Sequence, residues 1–402
     1  MDELSNPFRP GAGTSPPALV GRDQLIDTFG VAIRRALAGR PGKSVMPVGL
    51  RGVGKTVLLN RFADIAAAEG FRVGFIESPE DGTFTTLLAN RLRRILLDME
   101  AGGVTEKVRR ALRILKTFTA QLPDGTRISI DVDALRGRAD SGNLAEDVTD
   151  LLVSAGEAAD DLGLGVLLAV DEVQYLTVDQ LAAVITAIHR TTQLDLPVVL
   201  VGAGLPQLPA LSGRAKSYAE RLFEFPPLGP LAPSDARAAI AIPAADAGVE
   251  VTRPALDEMV EHSQGYPYFL QEWGYHVWNR ADSSPIELAV VESVTPEVRH
   301  RLDQNFFSVR FDRLTPREQQ YLRGLAELGP GAHRSGDVAA ALEVKVESVA
   351  PRRAALIDKG MIFSPAHGDT QFTVPLFDEF LRRLMPELPS GSRPRTGRGA
   401  TG

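Results

Sequence analysis

The sequence predicts an α/β fold in which a parallel sheet is covered by helices on both faces. Two nearly continuous apolar runs, at 165–170 and 197–201, flank a helical pattern, as is typical of parallel strands buried on both faces. Strand, helix and strand patterns also alternate from residue 44 to residue 76. The chain has 402 residues, of which 44% are hydrophobic and 24% charged, enough for two or three such domains.

The elements can be predicted in chain order from these patterns. Residues 1–18 are rich in Pro and Gly and form an extended arm, which is either disordered or wraps the next domain. Pro47 argues against a central position for the first strand, because proline lacks a backbone N–H. The other predictions are a helix from about 20 to 37, strands at 44–48 and 71–76, helices over 58–65, 84–117 and 144–159, a small β excursion within 118–140, and helices over 226–290.

Composition excludes several classes of protein. The absence of cysteine rules out disulfide scaffolds, cysteine-ligated zinc, iron–sulfur clusters and thiol nucleophiles. No apolar stretch reaches the ~20 residues of a membrane-spanning helix, so we expect a cytoplasmic protein without a membrane partner. The net charge of −7 argues against nucleic-acid binding over the whole surface but leaves a local basic face open.

The segment 49–56, GLRGVGKT, fits G-x-x-x-x-G-K-[ST] between a strand and a helix and therefore predicts a phosphate-binding loop. Its glycines let backbone N–H groups surround phosphate oxygens, and Lys55 neutralises the β and γ phosphates. The Thr56 hydroxyl is placed to bind Mg²⁺. We expect ATP and Mg²⁺ here, with nucleotide contacts from Gly49, Arg51, Gly52, Val53, Gly54, Lys55, Thr56 and Val57.

The strand 166–170 ends in two acids, Asp171 and Glu172. A carboxylate at the carboxyl end of a parallel strand, beside a phosphate loop, can hold Mg²⁺, and a second can orient or activate the attacking water. We therefore predict Asp171 as a metal ligand together with Thr56, and Glu172 as a catalytic residue together with Lys55.

These segments, with VGR at 20–22, VGAGLP at 201–206 and GYP at 265–267, resemble the Orc1/Cdc6-like branch of AAA+ ATPases, close to the STAND signalling ATPases. The resemblance covers roughly residues 6–385 and implies a slow ATPase with ATP or ADP bound. It implies that Val20, Gly21 and Arg22 contact the base and that Tyr266 and Pro267 lie against the nucleotide. From the residues alone, the first segment is also explained as a helix start and the second as the start of a lid helix.

The same resemblance implies that Arg221 is a catalytic arginine that reaches the γ-phosphate of a neighbouring subunit. A surface salt bridge with Glu220 or Glu224 explains this arginine equally well. Two features depart from the family pattern. The strand end at 202–204, Gly-Ala-Gly, has no polar side chain at the sensor 1 position, and no sensor 2 arginine is evident in the lid.

The last unit opens with Thr315, Pro316 and Glu318 in the pattern of a capped helix, and two helices and a hairpin follow, which is the order of a winged helix. Between residues 345 and 359, four cations and two acids leave a net charge of +2, which is modest for phosphate contact. Double-stranded DNA and a protein partner both remain open. The candidate DNA contacts are Lys345, Arg352 and Arg353.

The sequence therefore predicts a three-layer αβα P-loop NTPase with a parallel sheet, followed by a helical lid and a winged-helix domain. We expect an AAA+ regulatory ATPase whose nucleotide state controls assembly and DNA binding. The alternative is a STAND-type switch or scaffold that binds a protein partner. The sequence leaves open whether the partner is a second copy of the same chain or a different protein. The predicted parts are an extended arm (1–18), the αβα ATPase domain (19–225), the lid (226–295), the winged helix (296–388) and a flexible basic tail (389–402).

Overall fold

The computed structural model describes residues 1–11, 13–79, 81–103, 105–120 and 132–388. The chain divides into two compact units, residues 1–290 and the residues from 291 onward, and the division falls within one helix. Among the described residues, no helix is long and apolar enough to cross a membrane.

The first unit alternates helices and strands, as the sequence predicts. Its helices are α1 Asp23–Leu37, α2 Lys55–Ala68, α3 Phe84–Gly102, α4 Glu106–Thr119, α5 Leu144–Asp161, α6 Val178–Gln193, α7 Leu208–Ala215, α8 Ala219–Leu222, α9 Pro233–Asp246, α10 Arg253–Ser263 and α11 Pro267–Arg280. Its strands are β1 Ser44–Val45, β2 Val48–Gly49, β3 Phe71–Glu77, β4 Gly165–Asp171, β5 Val198–Gly202, β6 Phe223–Glu224 and β7 Pro227–Leu228.

The strands are parallel throughout this unit. β3, β4 and β5 lie side by side in that order, while β1 pairs with β6 and β2 with β7. The two groups meet at β2 and β5, where the Gly49 N–H donates to the Gly204 carbonyl at 3.1 Å and the Gly204 N–H to the Pro47 carbonyl at 3.2 Å. The carboxyl ends of β2 and β4 therefore lie at the same edge of the sheet.

The strand predicted at 44–48 differs in two respects: it is divided into β1 and β2 by Met46 and Pro47, and it lies between the end of β5 and the strands β6 and β7, which is a central position. Proline has no N–H to offer the ladder, so the strand is interrupted there. The backbone nevertheless stays paired across the break, since the Met46 N–H donates to the Glu224 carbonyl at 2.8 Å and the Val48 N–H to the Pro226 carbonyl at 3.0 Å.

Two apolar clusters cover the two faces of the sheet. One contains side chains of α1 and α2, where the rings of Phe29 and Phe62 stack at 4.2 Å. The other gathers side chains of α3 to α6, with Leu92, Leu151 and Ile185 fully buried. The three-layer αβα arrangement predicted from the sequence is confirmed.

The N-terminal arm wraps the unit along α11. Phe8 is 3% exposed and lies so close to Gly274 that a methyl group on that glycine would come within 2.5 Å of the ring. The Asn6 side chain donates to the Tyr275 carbonyl at 3.0 Å, and the Trp278 indole donates to the Asp2 carbonyl at 3.1 Å. Of the two possibilities left by the sequence, the arm wraps the domain.

The second unit is helical with one small antiparallel sheet. Its strands β8 (His333–Arg334), β9 (Ile362–Phe363) and β10 (Asp369–Phe372) lie in the order β8, β10, β9. Thr315 caps helix α14 (Pro316–Glu327) in a capping box with Glu318, as the sequence predicts. The elements are α12 Leu288–Leu302, which starts in the first unit, α13 Val309–Phe311, α14 Pro316–Glu327, β8 His333–Arg334, α15 Ser335–Ala341, α16 Val346–Asp358, β9 Ile362–Phe363, β10 Asp369–Phe372 and α17 Phe377–Leu384.

Two sequence predictions fall mainly outside the described residues. The β excursion expected within 118–140 falls mainly on residues 121–131, outside the described residues, and 132–140 hold no strand. The basic tail at 389–402 also lies outside them. The helical prediction over 84–117 is confirmed, with a division into α3 and α4.

Candidate functional site

The glycine-rich loop connects β2 to the first turn of α2. Gly52 and Gly54 have φ angles of 83° and 89°, in the left-handed region that a residue with a side chain avoids. These angles let the chain turn so that α2 begins at Lys55. The N-terminal end of a helix presents unpaired N–H groups and a partial positive charge, which suits a phosphate group. The loop therefore has the backbone geometry that its sequence motif requires.

Lys55 is almost fully buried, with 6% of its surface exposed. Its ammonium group donates to the carbonyls of Gly49 and Leu50, at 3.1 and 3.0 Å. Burial lowers the pKa of Lys55, and the nearby charges of Glu172 and Asp171 act in the opposite direction. The cation is thus held within the phosphate loop, beside two acids.

Thr56 and Asp171 meet at the edge of the sheet. The Thr56 hydroxyl donates to Asp171 Oδ2 at 2.5 Å. Burial raises the pKa of Asp171, while the hydrogen bond from Thr56 counters part of that effect. Mg²⁺ takes oxygen ligands and is commonly held by one or two side chains together with waters and substrate phosphates. These two side chains fit that requirement, and the described residues contain no cluster of three or more His, Cys, Asp or Glu that would hold a metal by itself.

Glu172 lies directly after β4, with a hydrogen bond on one carboxylate oxygen and a guanidinium near the other. Arg51 Nη1 lies 3.9 Å from Oε1, and the Gln174 side-chain amide donates to Oε2. The Glu172 side chain is 19% exposed. The predicted catalytic acid therefore lies next to the phosphate loop, within reach of solvent.

A model of the AAA ATPase domain matches residues 18–201, which include the loop, Asp171 and Glu172. These residues are therefore similar to an AAA ATPase domain. A second model, of a domain of unknown function (DUF8462), matches residues 304–381. No curated protein matches the chain. The AAA+ P-loop ATPase predicted from the motifs is confirmed over the matched residues.

Among the solved structures that match this chain, one with a TM-score above 0.5 shows the same fold. The chain is similar to the Walker-type ATPase PABY2304 of Pyrococcus abyssi, with a TM-score of 0.59 and 14% identity over 93% of this chain and 98% of that one. It also matches the RuvB Holliday junction branch migration motor of Thermotoga maritima, with a TM-score of 0.44 and 15% identity over 90% and 95%. Cdc6p from Pyrobaculum aerophilum matches with a TM-score of 0.45 and 14% identity over 96% and 98%.

Helix α11 begins on the phosphate loop of the AAA domain. The Tyr268 N–H donates to the Gly52 carbonyl at 3.2 Å, and Tyr268 Cβ lies 3.3 Å from the position a Cβ would take on Gly52. Pro267 occupies the first turn of α11 and Tyr266 its cap. Burial raises the pKa of Tyr266, whose side chain packs against the α1–α2 cluster. The GYP segment thus starts α11, and the residue that follows it contacts the loop.

The VGR segment contacts α9 and the turn before it. The Arg22 guanidinium donates to the Gly229 carbonyl at 2.7 Å. A methyl group on Gly21 would come within 2.7 Å of the Asp235 carboxylate. Val20 is partly buried beside them. Of the two valines in and after the loop, Val53 lies in the core and Val57 is partly buried.

The N-terminal arm ends beside the same loop. Gly13 lies against Thr56, since a methyl group on that glycine would come within 3.1 Å of Thr56 Cγ2. The Asn60 side chain also donates to the Gly13 carbonyl at 3.4 Å. The arm therefore runs from α11 to the start of α2, both of which border the site.

Arg221 lies apart from the loop of its own chain. It lies in α8, two residues before Phe223, the first residue of β6, which pairs with Ser44 at the start of β1. Because β1 and β6 are parallel, Arg221 is at the amino-terminal edge of the sheet and the phosphate loop at the carboxyl edge. Arg221 is exposed and forms no ion pair with the described residues, so neither Glu220 nor Glu224 holds it.

In the second unit, the three candidate DNA contacts differ in their surroundings. Lys345 is exposed at the start of α16. Arg353 donates to the hydroxyls of Thr370 and Ser364 at 2.8 and 2.7 Å and to the Asp369 carbonyl at 2.8 Å. Arg352 is partly buried, and its Nε is among the buried atoms with no hydrogen-bond partner. The positive charge counted along α16 is therefore only in part available at the surface.

Sequence reasoning missed three residues that border the site. Tyr268 directly follows the GYP segment, whose resemblance implies nucleotide contacts for Tyr266 and Pro267 only. Phe8 is the one aromatic residue in an arm rich in proline and glycine, and that isolated aromatic is the signal that could have identified it as a buried anchor. Gln174 lies two residues after Glu172, and a polar residue so close to a catalytic acid could have been singled out.

Proposed function

We propose that this chain is an ATP-hydrolysing regulatory ATPase of the Orc1/Cdc6-like kind, whose nucleotide state controls assembly and the binding of DNA by a C-terminal winged helix. The observation that carries the proposal is the convergence of Lys55, Thr56, Asp171 and Glu172 at one edge of the sheet. A phosphate loop, two hard oxygen ligands and a second carboxylate are the parts that hydrolysis of a nucleoside triphosphate requires.

Each of these residues has a distinct task. Phosphate oxygens would compete with the carbonyls of Gly49 and Leu50 for the Lys55 ammonium, which neutralises charge on the β and γ phosphates. Thr56 and Asp171 would hold Mg²⁺, which supplies charge neutralisation at the phosphates when bound. Glu172 orients the attacking water and accepts its proton.

Contacts of the proposed lid helices with the nucleotide site would let the bound nucleotide change the position of the lid. The hydrogen bond between Tyr268 and Gly52 joins α11 to the loop, and Arg22 joins the base-binding segment to the turn before α9. A nucleotide that reorganises the loop therefore acts on two lid helices at once. Val20, Gly21, Tyr266 and Pro267 complete the proposed nucleotide contacts.

Arg221 would link hydrolysis to assembly of several subunits. Its position at the amino-terminal edge of the sheet separates it from its own loop, and its exposure leaves it available to a neighbouring subunit. A guanidinium supplied in trans stabilises the charge that develops on the transferred phosphoryl group. Hydrolysis would then depend on the concentration of protein.

One alternative is supported by specific observations. The Gly-Ala-Gly end of β5 lacks a polar side chain for the γ-phosphate. Arg353, a candidate DNA contact, donates its hydrogen bonds to Thr370 and Ser364 within the second unit. Both features favour a STAND-type switch that retains ATP or ADP and binds a protein partner. We retain this as the second candidate.

Steady-state ATP turnover, measured against protein concentration with and without duplex DNA, tests the proposal, with Glu172→Gln as the blank. The first candidate predicts turnover that rises more than linearly with concentration, increases with DNA and is lost in Glu172→Gln. Slow, linear turnover that DNA does not change, with nucleotide retained, supports the switch. Turnover equal to that of Glu172→Gln overturns the assignment of Glu172.

A further inference from the structure

Gln174 connects the ends of β4 and β5. Its side-chain N–H₂ donates to Glu172 Oε2, and its Oε1 accepts a hydrogen bond from the Leu205 N–H at 3.0 Å. The amide therefore uses its donor on the predicted catalytic acid and its acceptor on the backbone that follows β5. Only a side chain with both functions can make this connection.

The small residues that end β5 make room for this side chain. A methyl group on Gly204 would come within 2.8 Å of Gln174 Oε1, and one on Gly202 within 2.9 Å of Val173 Cγ2. Contacts below 3.0 Å require a neighbour to move. The Gly-Ala-Gly sequence thus leaves the end of β5 without a polar side chain of its own, and a polar group from the end of β4 occupies that place.

The backbone of Glu172 is also constrained. Its φ angle of 51° lies in the left-handed region, which is unfavourable for a residue with a side chain and common at functional sites. A 3₁₀ turn over Val173–Tyr175 follows at once. The Tyr175 hydroxyl accepts a hydrogen bond from Arg51 Nη2 at 2.8 Å, and the same guanidinium approaches Glu172 Oε1. This short turn therefore supplies the amide that bonds Oε2 and the hydroxyl that holds the arginine near Oε1.

We propose that Gln174 is a positioning residue for hydrolysis, which takes the place of the polar side chain absent from β5. It holds Oε2 of Glu172, so that the lone pairs of Oε1 are directed to water, and it ties that orientation to the end of β5. The inference rests on the proposed ATPase function. The phosphate loop, and not Gln174, binds the nucleotide. Loss of Gln174 should therefore lower kcat and leave the affinity for ATP unchanged.

The test compares Gln174→Leu, which loses both hydrogen bonds, with Gln174→Glu, which keeps the shape and the acceptor but puts a second carboxylate beside Glu172. We expect kcat to fall about 10- to 100-fold in both, as for one hydrogen bond to a charged group. KM, the Kd for a fluorescent ATP analogue and Tm should remain within about twofold and a few degrees of the wild type. Gln193→Leu, an exposed glutamine on α6, is the matched control and should change none of these quantities.

A rescue separates positioning from simple packing. Gly204→Ser alone should lower kcat because the new side chain meets Gln174, whereas Gly204→Ser combined with Gln174→Ala supplies a hydroxyl from β5 in the vacated space. The double variant should turn over faster than Gln174→Ala. Additive losses in the double variant, or a fall in Tm and ATP affinity along with kcat in Gln174→Glu, would overturn the inference.

Glu172→Gln, measured in parallel, distinguishes this inference from the proposed function. If wild-type turnover exceeds that of Glu172→Gln but the Gln174 variants match the wild type, only the role of Gln174 is refuted. If wild-type turnover equals that of Glu172→Gln, the proposed function fails and the positioning role fails with it.

Discussion

The phosphate loop and helix α16 each contain a cation that the sequence marked as ligand-binding, and the two cations have different surroundings. Lys55 is buried, but its two hydrogen bonds go to carbonyls of a loop that also presents backbone N–H groups. Arg353, on α16, forms three hydrogen bonds to Thr370, Ser364 and Asp369, which lie in or beside the hairpin of β9 and β10. The first cation is placed beside a ligand site, while the second cross-links a helix to the strands that follow.

This difference shows which kinds of sequence signal are informative about function. The phosphate motif specifies backbone angles, through glycines at fixed spacing, so its residue types determine a geometry. A count of positive charges along a helix specifies no geometry, because it does not say whether a long side chain extends into solvent or folds back on the protein. The comparison predicts opposite consequences for loss of the two cations.

The largest effect is expected for Lys55→Ala, which should reduce ATP turnover by about 1,000-fold, because the charge on the β and γ phosphates loses its partner. Tm should remain within a few degrees, since the side chain bonds only two carbonyls. Turnover assays and calorimetry check both quantities. Lys43→Ala, a change in an exposed lysine just before β1, is the control and should leave turnover intact. Normal turnover in Lys55→Ala would contradict the assignment of Lys55 as a phosphate-binding cation that differs in role from Arg353.

Phe8→Ala tests how much the N-terminal arm stabilises the surroundings of the phosphate loop, because the arm runs from α11 to Thr56. Removal of a buried phenyl ring should lower the free energy of unfolding by about 3 kcal/mol. Denaturant titration measures this quantity, and a fluorescent nucleotide shows whether ATP affinity falls with it. Leu4→Ala, at a residue that is 96% exposed, should have no measurable effect. Equal stabilities of the two variants would mean that the arm is not anchored by Phe8.

Arg353→Leu tests the structural role given to the second cation. We expect a loss of about 2 kcal/mol in the free energy of unfolding, because several hydrogen bonds are broken and two hydroxyls lose a partner. ATP turnover should be unchanged in the absence of DNA. Lys345→Ala, which changes an exposed side chain on the same helix, should alter stability by less than about 0.5 kcal/mol. A stable Arg353→Leu protein would contradict the structural role.

The smallest effect concerns DNA. If the second unit binds a duplex, Lys345→Ala should reduce the slope of log Kobs against log salt by about 1, since one phosphate contact is lost. Filter binding at several salt concentrations measures the slope, with Lys43→Ala as the matched change of charge. An unchanged slope would exclude Lys345 as a DNA contact and favour the protein-binding alternative.

The sequence predicted the fold and the centre of the site because these depend on local patterns. The apolar runs of β4 and β5, the glycines around Lys55 and the acids after β4 each constrain structure over a few residues. Gln174, Phe8 and Tyr268 depend on contacts between residues far apart in the chain or on the absence of a side chain at Gly204 and Gly274. Such contacts leave no periodic signal. The division of the first strand at Pro47 was foreshadowed by its residue type.

The most direct test of the central claim is single-turnover hydrolysis of bound ATP by the wild type and Glu172→Gln, with protein in excess over nucleotide. Both proteins should bind ATP with similar affinity, and Glu172→Gln should hydrolyse it at least ~100-fold more slowly. Glu69→Gln, at the far end of α2 in an ion pair with Arg34, is the control and should behave as the wild type. Equal rates for the wild type and Glu172→Gln would contradict the assignment of Glu172 as the residue that activates water.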